Sequence, residues 1–510
     1  MQTIEKIFRN AVRHCERSEA KIIIRKEKLL QMKTILLVIL GIFIQGSIFA
    51  QHPHHHQPTD TTQIKKAPAT KKSKASKQVK QPITKDTLKK KPSVERMDHA
   101  DHSMHTMEGM QSMPSHAYSR SLPMSRNSSG TAWNPDASPM YMWMKQAPKT
   151  DWMFHGNIFL RYTNTDIFKS DKRGNDKWDA PNWFMAMMNR KIGEKGLFNV
   201  TAMISLDRLT EGGDGYPLLF QSGETWKGKR LVDRQHPHDL FSSLSIGYTQ
   251  MINKDIDVFG YIGYPGEPAL GAPAFMHRVS SMNNPDAPLG HHWQDATHIT
   301  FGVGTLGFRY KQFKAEGSVF TGREPDEDRY DFDKARFNSY SYRLSYNPTQ
   351  NWAFQFSQGF IEEPEALEPG VDITRTTASA LYTKTINTDK HLSAALIWGL
   401  NDKGEDHKEH SLLLENNYQF GKNALFSRYE FIQKSSEELD LESELGHETF
   451  DVHVFSLGYN RSLLQKGVFE LAAGTKATIN FPAKELKPFY GDTPVGFQVY
   501  LQLRPYWHKH

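Results

Sequence analysis

The chain has 510 residues, of which 38% are hydrophobic, and a formal charge of +6. That length admits two to four soluble domains or one large barrel, and the low apolar content excludes a bundle of membrane helices. The charge is local: eleven lysines and a single acid, Asp86, lie between Lys65 and Lys91, and the remainder is slightly acidic. A nucleic-acid interface spreads basic residues over a folded face, so none is expected here. The aromatic content of 12%, with ten Trp, fits the interfacial girdles of a membrane β-barrel and equally a soluble carbohydrate-binding β-protein.

In chain order, residues 1–31 read as a misassigned upstream extension before a better start. Met32-Lys33 opens a short basic region, Thr34 to Ile44 is continuously apolar, and Gly46-Ser47-Ile48-Phe49-Ala50 offers cleavage before Gln51. This is the pattern of a secretory signal peptide over residues 32–50, and the apolar run is too short for a membrane anchor. The single cysteine, Cys15, lies upstream of it. The mature chain is therefore expected to form no disulfide, and any metal site must use His, Met or carboxylates.

Residues 51–130 are rich in His, Lys, Ser, Thr, Pro and Met, with almost no large aliphatic side chains. Such a segment cannot bury enough apolar surface to offset its ordering entropy and is expected to be disordered. Within it His99, His102 and His105 recur every third residue, as do Met104, Met107, Met110 and Met113; His52, His54, His55 and His56 add an imidazole cluster. Thioethers select Cu(I), whereas imidazole suits Cu(II), Zn and Ni, so the tail is suited to hold copper in either oxidation state. The competing reading is compositional drift, against which stands the rarity of Met in polar segments. Residues 131–150, with Trp133, Tyr141 and Trp143, form a lead-in.

From Asp151 the pattern has period two. Phe154, Gly156, Ile158, Leu160 and Tyr162 alternate with His155, Asn157 and Arg161, and Val495, Phe497, Val499, Leu501 and Leu503 alternate with Gln498, Tyr500, Gln502 and Arg504. Alternation of this kind marks strands. Tight turns are expected at Gly193–Gly196, Ile252–Asp255, Lys311–Lys314, Asn347–Asn351, Asn387–Lys390, Phe420–Asn423 and Gln465–Gly467. Polar loops fall between them, near 167–178, 211–239, 266–296, 325–336, 362–370, 403–409, 434–447 and 483–494. Short and long connections thus alternate along residues 151–507, as in transmembrane barrels with short periplasmic turns and long outer loops. The expected fold is all-β: a transmembrane antiparallel β-barrel of about sixteen strands behind a disordered N-terminal tail.

Two long loops concentrate imidazoles. One carries Asp233-Arg234-Gln235-His236-Pro237-His238-Asp239; the other carries Phe275-Met276-His277-Arg278 and His291-His292-Trp293-Gln294-Asp295, and ends at His298. In an extended chain His236 and His238 project to one face roughly 6.5–7 Å apart, a spacing that lets two imidazoles share one ion. Asp239, His277, His291 and His292 are candidates by loop proximity. His298 precedes Ile299, Phe301 and Val303; if those alternate residues face lipid, His298 faces the lumen. The alternative is a structural plug in which His, Asp and Arg tie the loops together. The chain has no nucleotide-binding glycine loop, HExxH or GxSxG elbow, and no enzymatic role is expected.

Gly130-Thr131-Ala132-Trp133, Leu231 through Phe241, and Gly266-Glu267-Pro268-Ala269-Leu270-Gly271 resemble an uncharacterised family of Gram-negative envelope proteins predicted to be outer-membrane β-barrels. No activity attaches to that family. The His/Met-rich tail before a barrel is also similar, by architecture alone, to copper-resistance outer-membrane proteins of the copper tolerance B type, a resemblance that transfers no site residue. It implies metal tolerance or passage, with copper favoured among transition metals, an outer-membrane location and the tail in the periplasm. No resident cofactor is required for this reading. The partners expected are outer-membrane lipid, transition-metal ions and metal-efflux components; a general porin or small-solute channel with an incidental tail is the alternative.

Overall fold

A computed structural model describes residues 115–168, 173–295, 299–404 and 407–506. Among these, sixteen antiparallel strands close into one barrel. In chain order they are β1 (Thr150–Asn164), β2 (Asn182–Ile192), β3 (Gly196–Ile204), β4 (Phe241–Asn253), β5 (Ile256–Gly263), β6 (Val303–Tyr310), β7 (Phe313–Phe320) and β8 (Ser339–Tyr346). They continue with β9 (Trp352–Ile361), β10 (Ile373–Asn387), β11 (Lys390–Asp402), β12 (Lys408–Phe420), β13 (Asn423–Ser435), β14 (Thr449–Lys466), β15 (Phe469–Pro482) and β16 (Val495–Pro505). Each strand pairs with its sequence neighbour, and β16 returns to β1, with Leu501 opposite Leu160 and Leu503 opposite Ile158. Closure satisfies the backbone groups that an open edge would expose to lipid.

The alternating pattern sets the two faces. On β16, Phe497, Val499 and Leu501 are exposed, while Gln498, Tyr500, Gln502 and Arg504 are buried inside. On β6, Leu306, Phe308 and Tyr310 point outward and Thr305 and Arg309 inward. The outside is thus an apolar band, and aromatic side chains mark its rims: Trp152, Tyr310, Phe313, Tyr346 and Trp352 at the end carrying the short turns, and Trp178, Tyr264 and Tyr340 toward the long loops. Phe313 and Tyr346, directly opposite in register, stack with ring centres 4.1 Å apart. This is the surface that a bilayer solvates.

The lumen is filled by the chain itself. Loop 3, between β5 and β6, enters the barrel and is held by charge networks: Arg278 donates to Glu415 at 2.8 Å, and Arg428 reaches the same carboxylate at 3.0 Å. Asp286 binds Arg161 at 2.5 Å and also takes Lys476. These ions are almost wholly removed from solvent, a state tolerable only because each is paired.

Two expectations need correcting. Disorder is expected to residue 130, yet residues from Ser115 onward are built into structure: Ser115–His116 and Ser119–Pro123 form a small hairpin, followed by a helical turn, Met124–Arg126. Tyr118 packs on Phe259 with ring centres 5.2 Å apart, and Arg126 pairs with Asp136 at 2.5 Å beneath Trp133. The segment builds no core of its own and instead uses one that the barrel wall provides. Ile299, Phe301 and Val303, expected to face lipid, are buried. Gly302, at φ +104°, breaks the alternation, and Val303 turns inward among Leu270, Phe320 and Ile361. The alternation expected to turn His298 toward the lumen is thus absent around Gly302, and His298 itself lies outside the described residues. So do the signal-peptide segment and the tail residues His99, His102, His105, Met104, Met107, Met110 and Met113.

Candidate metal centre

Loop 2, between β3 and β4, includes a hairpin of Tyr216–Trp226 and Lys229–Gln235, after which His236 to Asp239, in no regular element, lead to β4. Loop 3 presents His291 and His292 from a single helical turn, His291–Gln294. That turn is fastened to the wall: Asn401 donates to the His292 carbonyl at 3.3 Å, Gln294 donates to the Ser411 hydroxyl at 3.2 Å, and the Lys434 ammonium sits 4.2 Å from the centre of the buried Trp293 ring. The two loops bring three imidazoles together. His236, His291 and His292 each offer a ring nitrogen within 4.8 Å of the others, and all three residues are buried.

Their outer nitrogens are turned to acceptors. Nδ1 of His236 lies 3.0 Å from Glu224 Oε2, Nδ1 of His292 lies 3.3 Å from Glu324 Oε1, and Nδ1 of His291 lies 2.7 Å from the Pro288 carbonyl oxygen. The Nε2 edges of His236 and His292 then face each other at 3.3 Å. An acceptor beside Nδ1, hydrogen-bonded in the case of His291 and close by for His236 and His292, favours the proton on that nitrogen and leaves Nε2 as the ligand, the arrangement that outer groups impose on metal-binding histidine. Converging imidazole lone pairs favour a cation between them, either a proton or a metal ion.

The backbone around Glu224 is shaped for this contact. Gly223 has φ +112°, and a Cβ there would lie 2.7 Å from Cε1 of His292, so only glycine lets the ring approach. Glu224 itself adopts φ +54°, a left-handed conformation that non-glycine residues seldom hold without compensation. Arg329 supplies it by binding both Glu224 and, at 3.1 Å, Asp239. Burial opposes ionisation of Glu224, but Arg329 and His236 outweigh it and hold the carboxyl well below its usual range. Burial depresses His236, only partly countered by Glu224. For His292 burial acts in the same direction, and Glu324 overcomes it, so this ring lies above the ordinary imidazole value.

The other expected ligands are placed differently. His238 has its ring centre 5.7 Å from that of His236, but its Nδ1 is bound to Asp207 at 2.6 Å and it is outside the converging trio. Asp239 is taken up by Arg329, and burial pushes its carboxyl up to about 7. His277 packs against His155 and Trp183, in a separate cavity. Glu224 and Glu324 were not foreseen; they lie 12 and 32 residues from their imidazole partners, and no spacing links them. A further group, Asp326, Asp331 and Asp333 in the loop between β7 and β8, is largely exposed and purely carboxylate.

The chain is a closed antiparallel β-barrel of sixteen strands with an apolar outer band. No family model matches it, and no curated protein matches it. Among solved structures it is similar to OmpF of Salmonella typhi in complex with daunomycin, with 11% identity over 71% of this chain and 100% of that one and a TM-score of 0.43. It is also similar to an anion-selective porin from Comamonas acidovorans, with 11% identity over 70% and 100% and a TM-score of 0.40. The outer membrane channel DcaP of Acinetobacter baumannii gives 9% identity over 71% and 98%, with a TM-score of 0.39. The likeness to copper-resistance proteins read from the tail is not shown by these comparisons. The closed barrel presents a continuous apolar band to its surroundings, the surface a lipid bilayer solvates.

Proposed function

We propose that this barrel binds a transition-metal ion in its lumen, at His236, His291 and His292, and serves metal tolerance or metal passage at the outer membrane. The observation that carries the reading is the convergence of three buried imidazoles from two loops, each backed by its own acceptor. Three imidazoles suit a borderline divalent ion, Cu(II) or Zn(II), with a position left for a further ligand. The tail, with His99, His102 and His105 among Met104, Met107, Met110 and Met113, would collect copper on the periplasmic side.

Equilibrium dialysis of the full chain against Cu(II) and Zn(II) tests this reading. Replacing His236 and His292 together by Asn should remove one tightly bound equivalent while the barrel keeps its heat-dependent gel mobility. Unchanged stoichiometry in a folded variant would leave the trio as a proton-bridged plug. A small-solute channel is the second reading, because sixteen strands enclose enough space for an aqueous pore. Here that space is occupied by loop 3, so conduction would require the loop to leave the lumen.

A further inference from the structure

We propose a second metal site in the barrel, of different chemistry: a soft, monovalent site for Cu(I) or Ag(I), built from Met153, Met187, His155 and His277. It goes beyond the three-histidine reading and stands on separate residues. A cavity of about 100 Å³ lies between the lead-in, the start of β1, β2 and the descending part of loop 3. Seven of its lining residues are methionine, out of 19 in the chain.

The strand register puts the donors together. Met153 on β1 is directly opposite Met187 on β2, and His155 is directly opposite Met185. Cross-strand neighbours of this kind have Cβ atoms roughly 4.5–5.5 Å apart, so the two thioethers of the first pair lie side by side on the lumen wall. Loop 3 supplies Met276 and His277 to the same cavity, and the lead-in supplies Met140 and Met142. The rings of His155 and His277 have centres 5.6 Å apart. Two imidazoles on one ion, each with a nitrogen roughly 2 Å from it, have ring centres up to roughly 6 Å apart, so this pair is within reach of a shared ligand.

The competing account is that methionine, being flexible, fills irregular gaps in cores. Two observations weigh against it. These methionines surround a cavity rather than filling it. In addition, the rings of His155 and His277 are half-buried and face this cavity, and no hydrogen bond is recorded between either ring and another described residue. Their ring nitrogens are thus left facing a cavity lined by thioethers together with Ser, Asn and Arg side chains, where a soft cation can take them up. Sulfur and imidazole together match Cu(I) and Ag(I), whereas the three-histidine trio has no sulfur.

The test uses the full chain and two probes, Ag(I) and anaerobic Cu(I), titrated against a chromophoric Cu(I) chelator. Met153→Leu with Met187→Leu keeps size and apolarity and removes the sulfur lone pairs. Each probe should lose one tight equivalent, with the equivalents held by the tail unchanged and Zn(II) binding retained. His277→Gln, on a loop outside the strand ladder, should lose the same equivalent, and it decides the matter if the double variant does not form a heat-modifiable barrel. His236→Asn should do the reverse, losing Zn(II) and keeping this Cu(I) equivalent. Full stoichiometry and affinity for both probes in a folded His277→Gln variant would overturn the proposal.

Discussion

Nε2 of His236 and Nε2 of His292 lie 3.3 Å apart, one carried by the loop after β3 and the other by the loop after β5. Fifty-six residues of chain, including two strands of the barrel wall, separate them. The contact exists because Glu224 and Glu324 each hold one ring from behind.

Those carboxylates set the first prediction. Glu224→Gln keeps shape but removes the charge that orients His236, and outer-shell changes of this kind typically cost about 10–100-fold in metal affinity. Titration of the full chain with Zn(II) should show weakening in that range for Glu224→Gln. The exposed Glu444 is a matched control, and Glu444→Gln should bind as the parent does.

Gly223→Ala should act on the same site by shape alone. A methyl group at φ +112° is strained and would press on the His292 ring at 2.7 Å. The expected outcome is lower metal occupancy with an unchanged barrel, read by elemental analysis together with the heat-dependent gel shift. Occupancy equal to the parent would show that His292 does not need its present position.

Much of the architecture could be read from the chain because barrel physics is local. A strand with one face in lipid must alternate, as Val495 through Leu503 do, and each tight turn must be short and polar, as at Lys311 or Gly467. The site was legible only as an inventory. The sequence His236-Pro237-His238 suggests a pair, yet Asp207 captures His238 while His236 turns to His292. The docking of the hairpin at 115–123 was equally hidden. Tyr118 and Met124 look isolated in a polar segment, and residues distant in sequence, Phe259 and Met153 on the wall among them, complete their surroundings.

The lumen network gives a stability prediction. Glu415 is the shared counter-ion of Arg278 and Arg428, all three nearly fully buried. Glu415→Gln leaves two guanidinium groups without that charge, and breaking such a pair costs about 3–5 kcal/mol. The temperature at which the folded gel band is lost should fall clearly. No change would mean that water enters freely and the lumen is not packed as described.

The outer face gives an independent one. Leu306 is 74% exposed at the middle of β6, between the two aromatic rims. Leu306→Arg should destabilise the barrel by about 2–4 kcal/mol in lipid, as expected for a charge at the midplane. Denaturant unfolding in vesicles measures it, and a neutral result would remove Leu306 from the bilayer-facing band.

The most direct test of the lumen metal site is anomalous diffraction from crystals of the full chain grown with Zn(II) or Cu(II). A peak is expected roughly 2.0–2.1 Å from a ring nitrogen of each of His236, His291 and His292. Metal bound elsewhere in the crystal, with no peak among these three rings, would contradict the lumen site.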